Sequence, residues 1–292
     1  MKLCMIDFDE KEQPAIVYEK GLIPLTMIKD LQINGDGMDL LNLIQNDQLM
    51  TIVQWYEDHK EEIEQMEAGA FIPHNEVIYR PLLNKQEKNI GIGLNYQNHA
   101  SQLGAKTPGN IPAIFFKGNH TIIGHGESVH IPRISHRTTG EAELGIVIGK
   151  TCHQIKEKEW QDYVAGFTTI IDMTAEDILR KNPRYLTLSK NFNRFFSIGP
   201  HLLTPDEIPD IQNITVSTIL NDEVVAANTI SNMIFSPGFL VAFHSRVMTL
   251  NPGDVISTGT PGAAPLSKGD IIECRIDGFK SLINPVKDMK LK

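Results

Sequence analysis

From Asn89 onward the chain consists of short apolar runs separated by turns rich in Gly, Pro, Asn and Asp. These runs are NIGIGL, AIFFK, ELGIVIG, GFTTIID, ITVSTILND, DVISTG and DIIECRI. Many closely spaced strands with only brief helical inserts favour a β-rich domain, a sandwich or a roll. The clearest helices are predicted at 155–163, in the turn after Asp172, and at roughly 237–249.

The first 75 or so residues have a different pattern and predict a small unit of their own. LCMIDF and AIVYEKGLIPL indicate short strands around the polar turn DEKEQP, and a helical stretch follows. Its apolar residues recur at helical spacing and form one face, which is typical of a packing helix: Leu41, Ile44, Leu49, Ile52, Val53 and Tyr56. We therefore predict an N-terminal α+β domain (1–80) and a larger domain (81–292).

Charge and composition exclude several classes of protein. The formal net charge is −9, and the lysines and arginines form no dense cluster, so we expect no nucleic-acid binding. No apolar run approaches the roughly 20 residues that span a bilayer, and the N-terminus turns acidic within about six residues, unlike a signal peptide. The three scattered cysteines fit a reducing compartment. These features predict a cytoplasmic protein without membrane association.

The segment TTGEAELGIVIGK (138–150) carries two acids with strand spacing. Because side chains alternate along a strand, Glu141 and Glu143 project to the same side, about 7 Å apart, and can converge on one cation. Without a cation they would repel each other, and one would take up a proton. A solvated strand edge with two acids is equally consistent with this motif alone. The opposite face is apolar: Leu144, Ile146 and Ile148.

A third acid follows in GFTTIIDMTAEDI, which indicates an apolar strand ending on Asp172. Thr174 and Asp177 have capping-box spacing, which predicts that a helix begins there. A carboxylate at the end of a buried strand is costly unless a charge or hydrogen-bond partner awaits it. Three oxygen donors without His or Cys fit Mg²⁺ or Mn²⁺ rather than Zn²⁺.

Other candidate residues are weaker one by one. Lys190 lies among apolar and aromatic residues, where an ammonium group requires an anion, and Lys117 follows the apolar run AIFF. His99 lies in the Gly/Asn-rich stretch GLNYQNHASQLG, and a lone histidine is more often structural than catalytic. The turn STGTPG (257–262) carries hydroxyls and amides suited to binding an anion.

Taken together and in order, these segments resemble the fumarylacetoacetate hydrolase superfamily. The resemblance covers roughly residues 85–290, and the N-terminal unit is similar to the leading domain of many members. It rests on GLNYQNHA (93–100), FFKG (115–118), GEAELGIVIGK (140–150), YVAGFTTIIDMTAED (163–177), the stretch from Ser189 to Pro200, NTISNMIF (228–235) and LNPGDVISTGTPG (250–262).

The resemblance implies an α+β, mainly β protein whose larger domain is a mixed β-sandwich roll, usually in a homodimer. It also implies a Mg²⁺ or Mn²⁺ site with Lys190 beside the metal and His99 as the catalytic base. The implied metal ligands are Glu141, Glu143 and Asp172. The residues expected to hold a small keto-acid substrate are Tyr96, Lys117, Gly199 and Thr260.

Three positions depart from the family pattern. Decarboxylase- and acylpyruvase-type members often carry a glutamate three residues after the histidine, where this chain has Gln102, which cannot accept a proton. An arginine and a glutamine that usually face the substrate are replaced by Glu176 and Leu179. An acid at position 176 would repel a substrate carboxylate or would face substrate hydroxyl groups instead.

The leading hypothesis is a metal-dependent hydrolase that cleaves a C–C bond in a β-diketo acid of the acylpyruvate or fumarylacetoacetate type. Gln102 counts against decarboxylation. The alternatives are a 2-keto acid decarboxylase of the oxaloacetate type, a keto–enol isomerase or dehydratase of the same superfamily, and a non-catalytic member that binds a metabolite.

Overall fold

A computed structural model describes residues 1–33, 39–97 and 109–290. Strands predominate in these ranges and the helices are short, so the predicted α+β, mainly β class is confirmed. The α-helices are α1 (Leu40–Gln45), α2 (Leu49–Asp58), α3 (Lys60–Gln65), α4 (Glu176–Lys181), α5 (Leu186–Lys190) and α6 (Pro237–Val247).

The strands form two sheets. In chain order they are β1 (Lys2–Phe8), β2 (Lys11–Tyr18), β3 (Gly21–Pro24), β4 (Ile78–Tyr79), β5 (Asn89–Gly93), β6 (Ala113–Phe116), β7 (Ile122–Ile123), β8 (Val129–Ile131), β9 (Thr138–Ile148), β10 (Val164–Ala175), β11 (Phe196–Ile198), β12 (His201–Leu203), β13 (Thr215–Leu220), β14 (Glu223–Thr229), β15 (Val255–Ser257), β16 (Ala263–Pro265), β17 (Ile271–Ile276) and β18 (Leu282–Asp288). In the described ranges, the larger sheet has 13 strands with the main order β3-β2-β1-β12-β10-β9-β15-β5-β6. The smaller sheet has five strands in the order β14-β13-β17-β18-β8.

The N-terminal strands extend the larger sheet. β1 pairs with β2 on one side and with β12 on the other, with Leu3 opposite Leu202. The predicted boundary near residue 80 is therefore crossed by sheet pairing, and the division into two domains stays a prediction. The turn between β1 and β2 is shorter than the predicted DEKEQP: Asp9 and Glu10 adopt φ values of 52° and 59°, as in a tight hairpin turn.

Several helix predictions need correction. The long helix predicted around 41–56 is divided into α1 and α2, and Asp47 between them has a φ of 56°. The helix predicted at 155–163 is a 3₁₀ helix, Glu157–Tyr163. The capping box is wrong, because the N-cap of α4 is Ala175 and makes no side-chain cap hydrogen bond. The prediction for 237–249 is confirmed by α6.

Strands β9 and β10 lie at the centre of the larger sheet, and every residue in both is buried. They pair antiparallel from Thr138 opposite Ala175 to Ile148 opposite Val164. Alternate residues of β9 belong to two apolar clusters, as Ile146 packs in one and Val147 in the other. Because both faces are covered, any charged side chain on these strands lies in the protein interior.

No helix in the described part of the chain is long and apolar enough to cross a membrane.

Candidate metal centre

Three carboxylates converge on one face of β9 and β10. Glu141, Glu143 and Asp172 each offer an oxygen, and these oxygens lie within 4.8 Å of one another. Asp172 is directly opposite Glu141 across the strand pair, and Glu143 is two residues further along β9. Since side chains two residues apart and side chains directly opposite share a face, the register brings all three together. Strand β10 runs three residues beyond Asp172, so the expected strand end at that residue is wrong.

Two buried lysines compensate the negative charge. Lys190, at the end of α5, donates from Nζ to Glu141 Oε2 at 2.7 Å and to Asp172 Oδ2 at 2.5 Å. Lys117, directly after β6, forms an ion pair with Asp172 Oδ1. The Lys190 ammonium also lies 4.7 Å from the centroid of the Phe115 ring. Lys190 thus has the anionic partners that its apolar sequence context required.

The turn between β15 and β16 holds Glu143. Glu143 Oε2 accepts hydrogen bonds from Ser257 Oγ at 2.5 Å and from the Gly259 backbone N–H at 2.8 Å. Gly259 has a φ of 95°, and a Cβ atom there would lie 2.7 Å from Cβ of Asn95, so a side chain would be strained and would clash. The sequence predicted that this turn binds an anion, and within the protein it binds the Glu143 carboxylate.

Asn95, in the segment after β5, forms hydrogen bonds that hold the same turn in place. The Asn95 amide donates to the Thr258 carbonyl at 2.7 Å and to the Phe235 carbonyl at 3.0 Å. Tyr96 beside it is fully buried, and its hydroxyl has no hydrogen-bond partner among the described residues. Burial, reinforced by the charge of Glu143, raises the pKa of Tyr96.

Burial and mutual repulsion shift the proton affinities in the cluster. Burial, together with the charges of Asp172 and Glu141 and against the opposing charge of Lys190, raises the pKa of Glu143 to about 8. Burial lowers the pKa of Lys117 to about 8 against the attraction of Asp172. Burial alone would lower the pKa of Lys190, but Asp172, Glu141 and Glu143 together raise it. At pH 7 the metal-free cluster therefore favours a proton on Glu143 and on both lysines.

The donor set fits Mg²⁺ or Mn²⁺, which prefer oxygen ligands. A buried oxygen, Asp172 Oδ1, accepts no hydrogen bond among the described residues, although Lys117 lies at ion-pairing distance. The raised pKa of Glu143 favours a proton that a cation would displace. Glu141, Glu143 and Asp172 are therefore the residues that would hold the metal, and this assignment stays a prediction.

The structure brings some of the other predicted residues to this cluster and places others apart. Thr260 lies in the turn that holds Glu143, where its hydroxyl donates to the Gly262 carbonyl at 2.9 Å. Gly199 follows β11, and its carbonyl accepts a hydrogen bond from the Thr169 hydroxyl. Among the described residues, Gly199 contacts β10 and Leu82 and not the three carboxylates. His99 and Gln102 lie outside the described residues. The roles predicted for all of these stay predictions.

The acid at position 176 is neutralised from within the protein. Glu176 accepts hydrogen bonds from Arg137 Nε and, at 2.6 Å, from Arg180 Nη2. Burial opposes ionisation, but the hydrogen bonds from these two arginines give Glu176 a lowered pKa. Leu179 is half-buried on the same helix, α4. Glu176 is thus already paired, which reduces the repulsion of a substrate carboxylate that the sequence suggested.

Sequence reasoning missed the groups that orient the carboxylates. Thr174 Oγ1 donates to Glu141 Oε1 at 2.9 Å instead of capping a helix. Ser257 and Asn95 are tied into the turn beside Glu143. The hydroxyl-rich and Gly-rich composition of 257–262 was the only sequence signal for these orienting groups. Nothing in the local pattern indicated Thr174.

The model of the fumarylacetoacetate (FAA) hydrolase C-terminal domain matches residues 88–287. The chain belongs to this family. Oxaloacetate tautomerase Fahd2a, a mitochondrial protein of Rattus norvegicus, is 31% identical to this chain. The alignment of 299 positions covers 98% of this chain and 91% of the rat protein.

Solved structures agree with this assignment over the whole chain. The 5-carboxymethyl-2-hydroxymuconate delta-isomerase of Mycobacterium smegmatis has a TM-score of 0.75 and 26% identity, covering 99% of both chains. The maleylpyruvate hydrolase of Sphingobium sp. SYK-6, in complex with manganese(II) and pyruvate, has a TM-score of 0.77 and 26% identity, also covering 99% of both. These relatives are enzymes, and the predicted family and mixed β fold are confirmed. The homodimer and the cytoplasmic location stay predictions.

Proposed function

We propose that this protein is a Mg²⁺- or Mn²⁺-dependent enzyme that stabilises the enolate form of a 2-oxo acid, and that it tautomerises an oxaloacetate-type substrate. The observation that carries this proposal is the buried convergence of Glu141, Glu143 and Asp172 beside Lys190. Such a site binds a cation and a 2-oxo acid together, because adjacent oxygens of the substrate can chelate the metal.

The bound ion would polarise the substrate oxygens and stabilise the negative charge that develops on enolisation. Lys190 holds protons at Nζ and directs two N–H bonds to Glu141 and Asp172, so the third N–H can donate to a substrate oxygen. Ser257 and Gly259 keep Glu143 oriented. The tautomerisation moves a proton between the enol oxygen and the carbon next to the one that bears this oxygen, and His99 is the residue we predict to carry it.

Tautomerisation ranks above the C–C hydrolysis that the sequence had suggested. It is supported by the rat tautomerase, which is 31% identical to this chain over 98% of its length, compared with 26% for the maleylpyruvate hydrolase. Gln102 lacks the acid of the His–Glu pair, which counts against decarboxylation. Hydrolysis of an acylpyruvate-type diketo acid is the second candidate, and the likeness to a maleylpyruvate hydrolase in complex with manganese and pyruvate favours it.

The test follows the decay of enol-oxaloacetate absorbance with Mg²⁺, with Mn²⁺ and with EDTA. We expect metal-dependent acceleration over buffer, and a loss of at least about 100-fold in the Glu143→Ala variant. Glu273→Gln is the matched control, since Glu273 is also buried but pairs with Arg275 outside the cluster. No acceleration by the wild type, or an unchanged rate in Glu143→Ala, would refute the proposal.

Product masses separate the alternatives. Two carbon fragments with added water from an acylpyruvate indicate the hydrolase, and carbon dioxide from oxaloacetate indicates the decarboxylase. A protein that binds metal and oxaloacetate but converts no member of this panel would be a binding protein.

A further inference from the structure

Lys117 is completely enclosed, and three oxygens surround its ammonium group. Its side chain has 0% exposure. Nζ donates to the Met173 carbonyl at 2.9 Å and to the Phe195 carbonyl at 2.6 Å, and it forms an ion pair with Asp172 Oδ1. To reach a substrate, the ammonium group would have to abandon buried carbonyls that have no water to replace it. The contacts therefore assign Lys117 to the support of the cluster.

The ion pair places Lys117 in competition with a metal. Lys190 occupies Oδ2 of Asp172 and Lys117 occupies Oδ1, so an ammonium lies against each oxygen of this carboxylate. In the metal-free protein both ammonium groups compensate the buried negative charge. A cation held by Asp172 would face the positive charge of Lys117 at short range, in an interior where charges are poorly screened.

We propose that Lys117 is the internal counterion of the metal-free site: it stabilises the carboxylate cluster without metal and thereby lowers the affinity of that cluster for a divalent cation. This inference rests on the metal dependence in the proposed function. A group that stabilises the metal-free state more than the metal-bound state weakens metal binding by the same factor. Lys117 would then be a positioning residue and not a substrate contact.

The test compares wild type with Lys117→Met, which removes the ammonium but keeps a side chain of similar length. Calorimetric titration with Mn²⁺ is expected to give a dissociation constant lower by about tenfold or more in the variant. The variant should lose thermal stability in EDTA and recover part of it in saturating Mn²⁺. The recovery is partial because the carbonyls of Met173 and Phe195 lose their donor in both states.

Lys88→Met is the matched control. Lys88 pairs with buried Asp254 at 2.8 Å, away from the three carboxylates. The melting temperature of this variant should fall by the same amount in EDTA and in Mn²⁺. Its Mn²⁺ affinity should equal that of the wild type.

An Mn²⁺ affinity in Lys117→Met that is unchanged or weaker, with a wild type that binds, overturns the inference. A wild type that binds no Mn²⁺ refutes the metal dependence of the proposed function and this inference with it. If Lys117→Met does not fold in EDTA, its refolding on addition of Mn²⁺, or folding of the Lys117→Met/Asp172→Asn double variant, supports the counterion role. Failure of both to restore folding overturns it.

Discussion

Replacing Glu143 with glutamine is expected to stabilise the metal-free protein while removing its response to metal. The folded pKa of about 8 lies above the ordinary value of 4.5, because burial and the charges of Asp172 and Glu141 disfavour ionisation. Between these two values the folded state binds more protons than the unfolded state. The free energy of unfolding of the wild type in EDTA therefore falls as the pH rises through this window.

The magnitude follows from the same linkage. At pH 7 the raised pKa of Glu143 costs about 3 kcal/mol. Glutamine cannot ionise, and its side-chain oxygen can still accept from Ser257 and Gly259. Its amide carries two N–H bonds where the protonated acid carries one O–H, and burying the extra donor costs about 1–2 kcal/mol. The net gain in the free energy of unfolding is about 1–2 kcal/mol at pH 7, or roughly 2–4 °C in melting temperature. At pH 5 the linkage contribution drops to about 1 kcal/mol, so the gain should vanish or reverse.

The assay is thermal unfolding followed by circular dichroism in EDTA at acidic, neutral and alkaline pH, repeated with Mn²⁺. Wild type and the Glu273→Gln control should gain stability with Mn²⁺, whereas Glu143→Gln should not. The reasoning fails if Glu143→Gln is less stable than wild type in alkaline EDTA, or if its advantage shrinks as the pH rises.

Two further predictions concern other residues. Ser257→Ala removes the hydroxyl that orients Glu143 and should weaken Mn²⁺ binding by about tenfold, measured by calorimetric titration; wild-type affinity would contradict the positioning role. Burial, with the positive charge of Lys280, lowers the pKa of His201 to about 3, so the stability that is present above its ordinary pKa of 6.5 is lost as the pH falls. This histidine should contribute a loss of about 2 kcal/mol to the wild type between pH 7 and 5, so the change in the free energy of urea unfolding over this range should be more favourable by about that amount in His201→Gln; an equal change in both proteins would count against it.

The central strands show what the local sequence pattern can predict and what it cannot. Alternation in 138–150 predicted correctly that Glu141 and Glu143 share a face and that Leu144 and Ile146 lie on the other. The same kind of reasoning failed at Thr174, because a capping-box spacing carries no information about a partner strand. Pairing of β10 with β9 continues to Ala175, and the Thr174 hydroxyl is used by Glu141.

The N-terminal region shows a second limit of prediction from local sequence. The strands were predicted from their apolar runs, but their membership of the larger sheet depends on β12, which lies about 200 residues away along the chain. Local composition cannot predict a pairing at that separation, because it depends on which edges remain free once the rest of the sheet has formed.

By itself the sequence determined the family, the mainly β class, and the three acids that share the face of the central strand pair. The tertiary structure alone decided the register that puts Asp172 opposite Glu141 and the approach of Lys190 and Lys117 to its two oxygens. It also decided the turn that closes on Glu143. The physical reason is that side-chain alternation is a property of one strand, whereas a buried cluster of opposite charges exists only after segments distant in the chain have packed together and excluded water.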